Sequence, residues 1–245
     1  CRTLQNNTPG TKNLIKDYPF TSHYFNILGH RLHYLDEGKG PAVVLIHGNP
    51  TWSYYFRNVV KTLADNFRVI APDHMGCGLS DKPQKYDYSL STHISNLVAL
   101  LDHLDVKTVS MIVHDWGGAI GMGYATRFPE MIGKIVLLNT AAFRSTRIPF
   151  RIRICRWPVL GSWLVRGLNG FARAAVHMAV SRKMNKETAE AYLSPYNSWK
   201  NRVAIHNFVR DIPLEKNHRS YPLLTEIEDG LTRLNQNHIP VMICW

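Results

Sequence analysis

Between residues 42 and 139 the chain repeats one pattern: a short apolar run, then a segment of helical spacing. AVVLI (42–46), FRVIAPD (67–73), TVSMIV (108–113) and KIVLLN (134–139) are the runs. Between them fall a helix expected over 52–65, SLSTHISNLVALLDHL (89–104) and GGAIGMGYATRF (117–128). In 89–104 Ile94, Leu97, Leu100, Leu101 and Leu104 recur at helical intervals. Strands alternating with helices predict an α/β fold, a mostly parallel sheet covered by helices on both faces. HYFNILG and HRLHYLDEG, from His23 and His30, add two paired strands in front. After Asn139 the rhythm stops, and it resumes only at IPVMICW (239–245). The division expected is a core over 18–140, a helical cap over 141–225 and a continuation of the core over 226–245.

VHDWGGAIG (113–121) puts an aspartate where a strand turns into a helix, among Gly117, Gly118 and Gly121. Small neighbours at such a junction mark a nucleophile elbow, a strained turn that lifts one side chain above the sheet. Asp115 takes the place serine holds in G-x-S-x-G, and Val113 replaces the leading glycine. A carboxylate there attacks carbon and forms an ester that a second step resolves. The plainer reading is that Asp115 caps the helix. HGNP (47–50) follows the strand AVVLI, and this topology places that loop beside the elbow. The loop offers backbone N–H groups and the Asn49 amide, and Trp116 offers its indole N–H. Donors converging on one point stabilise a leaving group or oxyanion. Turn formation by Asn49 and core packing by Trp116 are the structural alternatives.

With these pieces together, HGNPTWSYYFR, PDHMGCGLSDKP and VHDWGGAIG resemble the α/β-hydrolase superfamily, and within it the haloalkane dehalogenase-like group. In that group an apolar residue is common at the position of Val113. LLNTAAF, LVRGLNGFARAA, YLSPYNSW and FVRDIPL are similar to the β-lactone decarboxylases of long-chain olefin biosynthesis. The resemblance runs from about Tyr18 onward. It implies Asp115 as nucleophile, Asn49 and Trp116 as leaving-group donors, and conversion of a dialkyl β-lactone into a cis-alkene and CO2. Haloalkane dehalogenation by the same three residues is the alternative activity, and an inactive homologue serving as a scaffold is the non-enzymatic one. No metal or cofactor is implied. Some relatives take their catalytic acid from the position of Asn139, which cannot carry the charge. Acid and base histidine are therefore expected beyond Trp245, together with the last strand and helix of the fold, as in a truncated sequence. None of the twelve histidines has the setting of a base: His47 opens the donor loop, His114 points away from the elbow, and His238 stands at the wrong end of the sheet.

Composition excludes several classes. With 45% apolar and 19% charged residues the chain is no disordered polymer. No apolar run is long enough for a membrane span, the first residues lack the apolar core of a signal peptide, and four scattered cysteines have no metal-like spacing. Reduced thiols and a cytoplasmic location are expected. The net charge of +11 is local: eleven Lys or Arg and no Asp or Glu lie between Met131 and Lys186, leaving 18 basic residues to balance all 18 acidic ones. Arg151, Arg153 and Arg156 suit an anionic membrane surface or an acidic partner, the other olefin-biosynthesis enzymes among them. Nucleic acid is not expected, since no recognition motif accompanies the charge. Trp157, Leu160, Trp163, Leu164 and Leu168 are candidates to line a tunnel for the alkyl chains of a lipid-like substrate.

Overall fold

The strands at the centre of the molecule are continuous β-branched runs because both of their faces are covered. Val43, Val44, Leu45 and Ile46, and likewise Val69, Ile70 and Ala71, are buried. The computed structural model describes Ile15 and residues 17–245. Its sheet contains β1 (His23–Ile27), β2 (His30–Glu37), β3 (Ala42–Ile46), β4 (Arg68–Pro72), β5 (Val109–Asp115), β6 (Ile132–Thr140) and β7 (Val241–Cys244). Their spatial order is β1-β2-β4-β3-β5-β6-β7. β1 and β2 form an antiparallel hairpin, β2 runs antiparallel to β4, and every remaining pair is parallel. The alternation in the sequence therefore yields the α/β-hydrolase sheet.

Helices α1 (Arg57–Leu63), α2 (Leu90–His103) and α3 (Trp116–Ala125) cover it. Ser89 caps α2 by accepting the Thr92 N–H, and the apolar stripe of α2 turns inward through Leu90, Ile94, Leu97 and Leu101. α3 is apolar all round and buried from Gly117 to Ala125, as a central helix must be. The helix expected over 52–65 is shorter. Trp52 is extended and fully buried, Ser53–Phe56 form a 3-10 turn, and only then does α1 begin. The Ser53 N–H, at the start of this turn, donates to the Asp73 carboxylate at 2.7 Å.

The cap carries α4 (Phe150–Cys155), α5 (Pro158–Ser162), a π-helical turn (Trp163–Gly167), α6 (Gly170–Met178), α7 (Lys186–Leu193) and α8 (Val203–Arg210). Val165, Ala172, Val176, Ala191, Tyr196 and Ile205 bury against Trp52 and Tyr54 of the core in a cluster of their own. Arg202 ties the cap together. Its buried guanidinium donates to the carbonyls of Tyr196, Arg166 and Gly167.

The junction expected between 225 and 226 falls inside one helix, α9 (Tyr221–Gln236). Ile227 and Leu234 of α9 join the sheet's own cluster and Leu223 and Leu231 pack against it, so the helix packs with the core along most of its length. Of the cysteines, Cys77, Cys155 and Cys244 are free thiols; Cys1 lies outside the described residues.

The elbow depends on glycine at two points. A Cβ on Gly117 would run into the backbone carbonyl of Ile46, and one on Gly118 into the Thr140 hydroxyl. Gly117→Ala must move the β3 backbone itself, which cannot yield as a flexible side chain would. It should cost about 1–3 kcal/mol, the usual range for overpacking, and lower Tm by roughly 2–12 °C for a domain of this size. Thermal melts of the two proteins side by side check this, with a wild-type Tm as the refuting result.

Candidate active site

Parallel pairing of β3 with β5, Ile46 opposite Val113, sets the loop after β3 beside the end of β5. Asp115 ends β5 at φ 51° and ψ −125°, a backbone region that costs a non-glycine residue on the order of 1–3 kcal/mol. The Asn49 backbone N–H donates to Asp115 Oδ1 at 2.6 Å, and the Trp116 backbone N–H is a second donor to the carboxylate. From the other side the Thr140 hydroxyl donates to the Asp115 carbonyl at 2.5 Å, tying the end of β6 to the elbow. Asp115 caps nothing with its side chain. The carboxylate instead receives backbone amides, from Asn49 in the loop after β3 and from Trp116 at the start of α3.

Asn49, Asp115 and Trp116 are thus brought together. The Asn49 carboxamide donates through Nδ2 to the carbonyl of Ile205 in α8 at 3.1 Å, which leaves its second amide hydrogen uncommitted. Its Oδ1 is buried and has no partner among the described residues. Trp116 is half-buried against Phe208 of α8, ring centres 5.3 Å apart, and its indole nitrogen meets no protein acceptor among the described residues. α8 therefore roofs the elbow with one carbonyl and one aromatic ring. Its sequence, which overlaps the FVRDIPL segment only from Phe208 to Arg210, gave no sign that it would stand there.

Burial pushes the Asp115 pKa above the ordinary carboxylate value, against the pull of the Asn49 and Trp116 amides and of His114. A carboxylate so poorly hydrated is a stronger nucleophile than one in water, provided it stays ionised. The neighbouring histidines are occupied otherwise. His47 donates from Nδ1 to the Gly48 carbonyl at 2.8 Å and accepts the His74 N–H on Nε2 at 3.0 Å, so both nitrogens are engaged. His114 stacks on Tyr55 at 4.3 Å, and burial lowers its pKa. His93 lies flat on Phe208 at 4.4 Å, and burial drives its pKa down to about 3. His238 precedes β7, and Asn139 is exposed at φ 37°. Among the described residues no histidine is hydrogen-bonded to Asp115.

Asp73 was not singled out from the sequence. It is fully buried at the end of β4, accepting the Ser53 and Leu79 amides at 2.7 and 2.8 Å and the His33 ring at 2.9 Å. Burial alone would raise its pKa, but the His33 charge and hydrogen bond outweigh it and hold the carboxyl below its usual range. The run of turn formers GCGLSDKP behind Asp73 was the available signal: a turn folded back on a strand end needs a buried acceptor for its amides.

The alkyl tunnel expected from the cap does not form as drawn. Trp157, Leu160, Trp163 and Leu168 are 54, 40, 55 and 47% exposed on the outside of the cap, and Leu164 is half-buried. They point outward because Gly161 and Val165 already occupy the inner face of the same helix. Arg156 is corrected too, since it turns inward and donates to the Ile212 carbonyl. A cavity of about 540 Å³ lined by Arg156, Asn207, Arg210, Asp211 and Arg219 is separate from the elbow, and neither Asp115 nor Asn49 borders it.

The raised pKa has a consequence for stability. Below the unfolded carboxylate pKa both states carry the proton and Asp115 costs nothing. As pH rises through the higher folded-state pKa, ionisation in the buried site costs folding free energy. Asp115→Asn should therefore melt above the wild type at pH 7, with the gap closing as pH falls into the carboxylate range. Melting curves across pH test this, and an unchanged or reversed gap at pH 7 refutes it.

A family model described as the alpha/beta hydrolase fold matches residues 41–243. The cis-3-alkyl-4-alkyloxetan-2-one decarboxylase of Shewanella oneidensis is 48% identical over 234 residues, covering 93% of this chain and 73% of the relative. The protein of the same name from Xanthomonas campestris is 38% identical over 242 residues, covering 93% and 80%. The crystal structure of a haloalkane dehalogenase from Agrobacterium tumefaciens superposes with a TM-score of 0.82 at 25% identity, covering 91% of this chain and 78% of that one. An aspartate at the elbow, an Asn49 loop beside it and similarity of this extent lead to one conclusion: the chain belongs to the α/β-hydrolase fold family and, within it, to the haloalkane dehalogenase-like group, alongside relatives named cis-3-alkyl-4-alkyloxetan-2-one decarboxylases.

Proposed function

We propose that this chain decarboxylates cis-3,4-dialkyl β-lactones to cis-alkenes, the closing step of long-chain olefin formation, with Asp115 as nucleophile. The observation that carries the reading is the Asp115 carboxylate. It is held by the Asn49 and Trp116 amides, in a chain 48% identical to a protein named for that reaction.

A carboxylate oxygen of Asp115 attacks C4 of the four-membered ring, the carbon bearing the ring oxygen. The C4–O bond breaks with inversion, its electrons leave on the carboxylate, and strain in the small ring helps the step. The uncommitted Asn49 amide hydrogen and the Trp116 indole N–H are the groups available to receive that carboxylate. The alkyl ester so formed has a carboxylate on C3. Breaking the C3–carboxylate bond releases CO2 and sends its electrons into a C3–C4 double bond, while the C4–O bond to Asp115 breaks and restores the side chain. Inversion followed by anti fragmentation delivers the cis-alkene from the cis-lactone. Atoms and charge balance with neither water nor a base, so the chemistry asks nothing of a histidine.

Hydrolysis of a haloalkane is the second reading, favoured by the likeness to the dehalogenase fold. It shares the first displacement and then requires an activated water to cleave the ester. The two readings part at that step.

Incubation with a cis-dialkyl β-lactone should yield cis-alkene and CO2 by gas chromatography, and Asp115→Asn should abolish the yield because an amide is a far poorer nucleophile. Trp116→Phe should slow the first displacement by about 10² to 10³, the usual cost of one donor. A long-chain bromoalkane should leave one alkyl group on Asp115, located by peptide mapping within VHDWGGAIG. Rapid, repeated bromoalkane turnover with the lactone left intact would replace decarboxylation by dehalogenation.

A further inference from the structure

We propose that the outer face of the cap is a docking surface for an anionic lipid bilayer. The evidence is a helix whose apolar side faces out. α5 runs without a break into the π-helical turn, so residues 158–167 form one rod about 15 Å long. Its inner face is Gly161, packed against the backbone of Cys155, and the fully buried Val165. Its outer face is Val159, Leu160 and Trp163, spaced three and four residues apart and 83, 40 and 55% exposed. A helix that had only its own fold to satisfy would place polar residues there.

α4 and the π-helical turn both pack on α8, so their free sides face away from it together. The free side of α4 adds Phe150, 74% exposed, together with exposed Arg151 and Arg153. Trp157 joins the two elements and is 54% exposed. The result is a set of exposed apolar and aromatic side chains interleaved with exposed arginines, all between Phe150 and Leu168. Arg202 holds the rod in place through the Arg166 and Gly167 carbonyls, so the exposure is part of the packed structure.

Charge selects the occupant. From Met131 to Lys186 there are eleven basic residues and no acidic one, while the rest of the chain is balanced at 18 of each. Among the described residues only Arg144 and Lys186 of those eleven meet a carboxylate. A protein partner pairs charges of both signs at discrete points. A lipid headgroup layer presents one sign everywhere, with an apolar phase directly beneath it for Trp157, Val159 and Trp163. Nucleic acid would use the arginines and leave the tryptophans idle. No helix among the described residues is long and apolar enough to cross a membrane, so the contact is interfacial. This docking is independent of the ester chemistry at Asp115.

The test is sedimentation of the chain with vesicles of phosphatidylcholine alone and of phosphatidylcholine with an equal part of phosphatidylglycerol. Binding is expected to the anionic vesicles and to weaken in high salt. The double substitution Arg151→Glu, Arg153→Glu should weaken it by at least about 25-fold, roughly fivefold for each arginine lost. Trp157→Ser with Trp163→Ser should weaken it at least about tenfold, with melting curves confirming that both variants fold. A measurement on the unaltered chain stands beside these: lipids brominated in the acyl chains should quench its tryptophan fluorescence. No binding to anionic vesicles, or no quenching on binding, overturns the proposal. So does preference for duplex DNA over vesicles at equal salt, and so does a lipid-free dimer that the tryptophan substitutions dissolve.

Discussion

One short contact organises the site: the Asn49 backbone N–H on the Asp115 carboxylate, 2.6 Å across the ends of β3 and β5. It exists because those strands pair in parallel, so both chain reversals occur at the same edge of the sheet. It also requires Asp115 to hold a strained backbone, which the packing of α3 enforces. Gly117 lies against the Ile46 carbonyl and Gly118 against Thr140. Strain of this kind persists only where the surroundings determine the turn completely. The result is a carboxylate held in place by the fold itself.

A second buried carboxylate does the opposite work. Asp73 gathers two amides and the His33 ring, and its pKa lies below the ordinary range, whereas that of Asp115 lies above it. The difference is the partners. Asp73 has the His33 ring as partner and accepts the Ser53 and Leu79 amides, and it fixes the entry to α1. Asp115 has the Asn49 and Trp116 amides, which do not outweigh its burial. Desolvation acts on both; what compensates it decides which way each pKa moves.

The cap divides its residues by the same logic of what is already filled. Val165, Ala172, Val176 and Ile205 take the interior, against Trp52 and Tyr54 of the core. The larger apolar side chains of 157–168 are then left outside, next to arginines that lack carboxylate partners. The proposed bilayer contact and the proposed lipid-like substrate are compatible, since an enzyme resting on a bilayer would meet such a substrate at high local concentration.

The sequence by itself determined the sheet and the place of the elbow. Period and run length identify buried parallel strands, and crowded glycines at 117, 118 and 121 identify a turn with no room for side chains. It also put Asn49 near Asp115, because topology follows from strand order. It did not determine which face of the 158–167 helix is buried: apolar residues lie on both sides, and periodicity cannot say which side meets α8. The inward turn of Arg156, the role of Asp73 and the roof of Ile205 and Phe208 were equally illegible. Each depends on a partner far away in the chain, and burial, unlike periodicity, is settled only when those partners meet in the tertiary structure.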